Sequence, residues 1–220
     1  LRGDVGSFGF AWDSEIARLK DLKVYNQQTG QLIASVNSID IQLHIRDLYA
    51  PKLSREIEIQ TVRLDGAEVF VELDEQGRSN LYGIHEAPPK SQTLKFDTTK
   101  LLTTLTNAAV RFKDRQHNIE ADLSKLKVEA QPTAGQSQNF NLQLETDSGR
   151  VAVEGRETPI SKLNLTAKAS ASAVEVEQMQ LASGLGEVSA SGKVDDLRAL
   201  RYGFEIAAGV KTEELTRFAF

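Results

Sequence analysis

The stretch "SIDIQLHI", residues 38 to 45, places Ile39, Ile41, Leu43 and Ile45 at alternate positions with a polar residue between each pair. A two-residue period is the signature of a strand with one apolar and one wet face. What the apolar face meets then decides the kind of protein. A second packed layer makes it one half of an ordinary β-sandwich core; an open face makes it a surface that handles something greasy.

The same pattern extends in both directions. Upstream, "LKDLKVYN" runs into "NQQTGQ", where Asn26 and Gly30 supply turn chemistry, and the chain returns through "LIASVN", which predicts a hairpin. Residues 13 to 23 also carry a helical alternative, with Asp13 placed to cap a turn bearing Ile16, Leu19 and Leu22. Downstream, "RDLYAPKLSRE" (46–56) breaks the alternation at Pro51 and reads as a connection with one helical turn. Then Ile57 and Ile59 share one parity, Val62 and Leu64 the other, and Val69, Val71 and Leu73 return to the first. Two parity changes predict bulges or breaks near Gln60 and near Asp65-Gly66. Glu56, Glu58, Arg63 and Glu72 fall on the other face, which reads as a solvated outer surface.

"HEAPPKSQT" (85–93) has the densest proline and polar signal, so the expected organisation is a β unit over 1–84, a linker or loop at 85–93, and further β-repeats over 94–220. Beyond the linker the alternation resumes with Val110 and Phe112, then Leu142 and Leu144, then Val151 and Val153. "GRVAVEG" at 149 and "GEVSASG" at 186 echo one another, as expected of strands added in series. Few segments with helical character separate these strands, so neighbours are expected to pair antiparallel. The fold class is all-β with at most short helical turns.

Composition narrows the function. Lys plus Arg number 26 against 31 Asp plus Glu, a formal charge of −5 without a basic cluster, which argues against nucleic acid. The absence of cysteine removes disulfides, thiolate metal sites and cysteine nucleophiles. No catalytic constellation is visible, and the reading is a non-enzyme without cofactor or metal. His44 lies on the polar side of its strand and His85 and His117 in polar loops, where surface histidines are expected. "GLGEVS" (184–189) lacks the final glycine of a dinucleotide loop and reads as a β-turn; Asp74, Glu75 and Gly77 lack calcium-loop spacing and read as a hairpin tip. The chain begins at Leu1 and has one methionine, Met179, which suits a segment of a longer protein with room for a membrane anchor upstream.

The order of elements over residues 5 to 84 resembles the start of the AsmA-like and TamB-like proteins of diderm bacteria. The resemblance is carried by the "TGQLI" turn, the alternating strand after it, a short connection, and a "D-x-x-G-x-x-N-L" tip formed by Asp74, Gly77, Asn80 and Leu81. "LTNAAVRFKD" (105–114) is similar to a strand that recurs in the same family. The resemblance implies a long, twisted antiparallel sheet curled into an open apolar groove that spans the periplasm from an inner-membrane anchor. It also implies phospholipid carried toward the outer membrane, and assembly of outer-membrane barrel proteins and autotransporters beside a barrel partner that binds a C-terminal region missing here. On this view Ile39, Ile41, Leu43, Ile45, Ile57, Ile59, Val62, Leu64, Val69, Val71, Leu73, Val110, Phe112, Leu142, Leu144, Val151 and Val153 line the groove and meet acyl chains. Two further readings stand beside it: a scaffold that assembles client proteins by β-augmentation at exposed strand edges, and a passive β-sandwich with a filled core.

Overall fold

The computed structural model describes residues 1–45, 56–81, 95–133, 136–170, 173–196 and 201–211. The linker at 85–93, His85 and the connection at 46–55 lie outside these residues. Among the described residues fourteen strands form one sheet: β1 (Arg2–Asp4), β2 (Ser7–Ala11), β3 (Ile16–Tyr25), β4 (Leu32–Ile45), β5 (Glu56–Leu73), β6 (Lys95–Asp97), β7 (Leu102–Asp114), β8 (Ile119–Thr133), β9 (Gln136–Thr146), β10 (Ser148–Val153), β11 (Arg156–Ala169), β12 (Val174–Ser183), β13 (Gly186–Asp196) and β14 (Arg201–Val210). The described residues contain no helix, so residues 16–25 are strand and the helical alternative is set aside. No helix among them is long and apolar enough to cross a membrane.

Most neighbours pair antiparallel, in the order β1-β3-β4-β5-β7-β8-β10-β11-β12-β13-β14. β1 and β2 share the outer side of β3, and β9 and β10 share the position between β8 and β11. The expectation of a wholly antiparallel sheet is corrected at one seam: β7 runs parallel to β5, with Thr61 opposite Leu102 and Leu73 opposite Asp114, and β6 is parallel to the start of β5. Side-chain alternation carries no strand direction, so the sequence pattern is the same either way. The echo between residues 149 and 186 also fails as a structural repeat, because Gly155 sits in a tight turn while Gly192 lies inside β13.

The sheet is creased. At β3 the crease passes through Asp21 (φ +54°), at β5 through Gly66 (φ +65°), at β7 through Asn107 (φ +53°) and at β8 through Lys125 (φ +52°). Each left-handed residue adds a step of three, instead of two, between inward side chains: Leu19 to Leu22, Leu64 to Ala67, Leu105 to Ala108, Leu123 to Leu126. Neighbouring strands match these steps. Val36 and Ser38 of β4 face Ala67 and Asp65 across Asn37 and Gly66. The outer edge breaks between β1 and β2, where the Gly6 amide donates to the carbonyls of Lys20 and Asp21, and a β-carbon at Gly6 would lie 2.8 Å from that of Asp21.

The crease continues where β9 gives way to β10 at Asp147. There Thr146 Oγ1 donates to the Ser124 carbonyl at 2.5 Å and accepts the Ser148 amide at 3.1 Å, in place of ladder bonds. It leaves through the register shift between Ile160 and Lys162 of β11. The parity change near Asp65-Gly66 is thus a kink inside one 18-residue strand, and the change near Gln60 is a bulge, with Thr61 opposite Gln42 and Ile59 opposite Leu43.

Asp, Asn and Gly tolerate left-handed backbone; a lysine there costs about 1–2 kcal/mol. Lys125→Gly is therefore expected to raise stability by roughly 0.5–1 kcal/mol after the added chain entropy of glycine. Gly66→Val should lower it by about 2–3 kcal/mol, since a β-carbon would sit 2.1 Å from Asn37 Nδ2 on a backbone hostile to branched side chains. Urea unfolding of the two variants checks both signs.

Candidate functional site

Directly opposed residues share a face, so the strand register collects the sequence-predicted residues onto one side of the sheet. One row runs Leu19–Ile39–Leu64–Leu105–Val128–Leu144 and continues Leu165–Met179–Ala190–Ile206. Ile41 and Val62 belong to the next row, with Leu142 further along it. Leu43 pairs with Ile59, and Ile45 with Ile57. Beyond the crease Val69 is beside Val110, Val71 beside Phe112, and Leu73 beside Asp114; Val151 and Val153 join through Ala121 and Ile119.

Burial shows how this face is shaped. Several of the deepest apolar residues follow the crease, Val36, Ala67, Ala108 at 3% exposure, Leu126 at 1%, and Leu163, with Thr146 among them, while Ala167 at 2% lies on the slope beside it. The rows on either side are half-buried, and Val69 and Val153 are exposed. Among the described residues there is one sheet and no second layer. Side chains at the crease are buried because both slopes of the sheet lean over them, and small residues such as Ala67 and Ala108 let the slopes close. The geometry is an open trough that runs across the strands.

The sequence pattern missed the floor of this trough. Ala67, Ala108 and Leu126 fall out of step with strict alternation. The signal that finds them is the three-residue step just after Gly66, Asn107 or Lys125.

The other face is polar. Arg18 holds Asp40 at 2.6 Å, Lys113 holds Glu120 at 2.5 Å, Arg150 holds Asp122 at 2.7 Å, and Lys127 holds Glu145 at 3.3 Å, each pair reaching across neighbouring strands. The Arg18 guanidinium keeps the Asp40 carboxyl below the usual carboxylate range. Exposed pairs of this kind contribute little stability one by one. Glu58 corrects the picture of a uniformly solvated back: it is only 4% exposed, with Lys100 Nζ at 3.4 Å. A hollow of about 540 Å³ also lies on this polar side, between Thr104, Thr106, Glu129, Gln143 and Gln180.

The turns at one end of the strands are knit by buried Asx residues. Asn26 Nδ2 donates to the Asn80 carbonyl at 2.7 Å; Asn80 Nδ2 donates to the Phe70 carbonyl, and its Oδ1 accepts the Glu72 amide. Asp74, Gly77 and Asn80 form the expected tip, closed by the Gly77 amide on the Asp74 carbonyl. His44 is exposed on the polar face, 3.3 Å from Glu15, and His117 caps the β7–β8 turn against Asp114. Among the described residues no group of His, Asp and Glu is arranged to hold a metal ion.

No protein-family model matches the chain, and a search of the curated proteins returns no match. Its assignment therefore rests on its own geometry.

The Asp114 carboxyl accepts the His117 ring N–H at 2.8 Å and the amides of His117 and Gln116, and these bonds hold it below its ordinary range against the effect of burial. A depressed carboxyl stabilises the fold fully above the unfolded value of about 4 and loses that contribution as pH falls through the folded value. Acid titration should thus open the β7–β8 turn only below about pH 4, read as faster exchange at the Gln116 and His117 amides. Asp114→Asn should remove this acid limb.

Proposed function

We propose that the chain is a non-enzymatic lipid conduit, with the creased apolar face as the channel for acyl chains. The observation that carries the reading is the continuity of the apolar rows from β3 to β13 without a covering layer. A phospholipid tail spans about half of the ~30 Å hydrocarbon core of a bilayer. At roughly 4.8 Å between strands, one tail covers about three strands, so the rows offer several equivalent resting places in succession. Each methylene removed from water contributes about 0.8 kcal/mol, and no polar recognition is needed. Equivalence along the rows lets a tail shift without a deep minimum, and the negative net charge of −5 disfavours retention of anionic headgroups.

This reading accords with the resemblance to AsmA-like and TamB-like proteins. It extends to a periplasmic segment of an inner-membrane-anchored bridge that carries phospholipid toward the outer membrane, with a barrel partner bound elsewhere in the longer protein.

A second reading is favoured by one observation. β14 is the last strand of the sheet among the described residues, and its stretch "FEIAAGV" has a single charge, so its outer edge lacks the lysines that usually guard an edge. Client strands of outer-membrane proteins would add there by β-augmentation.

The test is lipid retention. Organic extraction of the purified chain followed by mass spectrometry should find phospholipid. Ile41→Asp or Ile59→Asp should lower it at least tenfold with the circular dichroism of the sheet preserved, since a carboxylate beside an acyl chain loses its hydration. Loss of the sheet in both variants would mark a closed core instead. Ala207→Pro should abolish binding of barrel-derived peptides under the second reading and leave retained lipid unchanged.

A further inference from the structure

The apolar rows do not stop at β3. Phe8 of β2 faces Leu19, and Phe10 faces Ala17, so two rows of the trough end in aromatic side chains on the outermost strand. Trp12 follows at the same spacing and packs edge-on against Phe10, with ring centroids 4.6 Å apart. This edge is not tucked away: Phe8 is 68% exposed and Trp12 74% exposed. Large aromatics usually supply core packing, yet here they stand in solvent at the mouth of an apolar surface.

We propose that β2 and Trp12 form a membrane lip, which seats at the headgroup level of a zwitterionic phospholipid bilayer and joins the bilayer interior to the trough. The proposal rests on the trough reading for its purpose. The chemistry of the occupant follows from three features. Aromatic rings favour the interface between hydrocarbon and water, where a planar apolar body and a polar edge are both accommodated. The two exposed rings offer roughly 300 Å² of surface, well short of the ~800 Å² per partner in a stable protein interface, whereas a bilayer needs no complementary surface. Charge points the same way: over residues 1–25, Arg2, Arg18, Lys20 and Lys23 balance Asp4, Asp13, Glu15 and Asp21. There is no net field to select anionic lipid, so burial of the rings drives binding.

The chain contains a single tryptophan, so Trp12 reports on this edge alone. On titration of the 220-residue chain with phosphatidylcholine vesicles, Trp12 emission should shift to the blue and be quenched by lipids brominated near the top of the acyl chain. The partition coefficient should be the same at low and high salt, and Phe8→Ser should lower it roughly tenfold. Three results would each overturn the lip: an emission spectrum that vesicles leave unchanged, a blue shift that needs only higher protein concentration, or binding confined to anionic vesicles and lost in salt. Ile59→Asp separates the two proposals, because it lies in the trough away from β2. Lipid lost from that variant with the Trp12 response intact supports the lip as an independent site. Lipid absent even from the unmodified chain, with Trp12 still responsive, removes the conduit and leaves the lip; co-purified lipid with a silent Trp12 does the reverse.

Discussion

The architecture depends on a geometric coincidence: left-handed residues of several strands fall near one line across the sheet. A single kink in a single strand makes a bulge, which neighbours absorb as a local fault. Here Asp21, Gly66, Asn107 and Lys125 are brought into one line by the register, with Gly6 and Thr146 adapting the edge and the β9–β10 break to it. The whole sheet then bends along that line. Polar side chains clamp the outside of the bend: Asp65 Oδ1 accepts from Thr106 Oγ1 at 3.0 Å and from Asn107 Nδ2 at 2.7 Å, and Asn37 lies across Gly66.

The bend replaces what a second layer would normally supply. Ordinary two-layer proteins bury large side chains between sheets. In this chain the buried cluster is small, made of Val36, Ala67, Ala108 and Leu126, with Leu22, Ile39, Leu64, Leu105, Val110, Leu123 and Leu144 packed around it. The cluster is contributed by neighbouring strands of one sheet, so the same side chains that stabilise the crease also set the depth of the trough. The arrangement leaves a large apolar area facing outward, of the kind that soluble monomers keep small.

Local pattern made part of this legible. "SIDIQLHI" identified its strand and the face each residue takes, and the parity changes in β5 located both Gln60 and Gly66. Register carries the alternation of one strand to the next, as from Ile39 to Leu64 and Leu105, because pairing preserves faces from strand to strand. Three features were hidden for physical reasons. Strand direction is invisible to a two-residue period, so the parallel β5–β7 seam left no mark. The alignment of kinks depends on register, which no single strand encodes, and Lys125 is a residue type that gives no warning of left-handed backbone. Glu58 has the right parity for the wet face, and its burial comes from its surroundings, with Lys100 alongside.

The β5–β7 seam has a kinetic consequence. Antiparallel neighbours here are joined mostly by short turns, but Asn107 meets Asp65 across 42 residues of chain. Closing a loop of that length must precede any reward from the contacts it brings together, and pairings of high contact order form slowly. The strands on either side of the seam can pair locally, so the pairing of β5 with β7 is the contact expected to form late in folding.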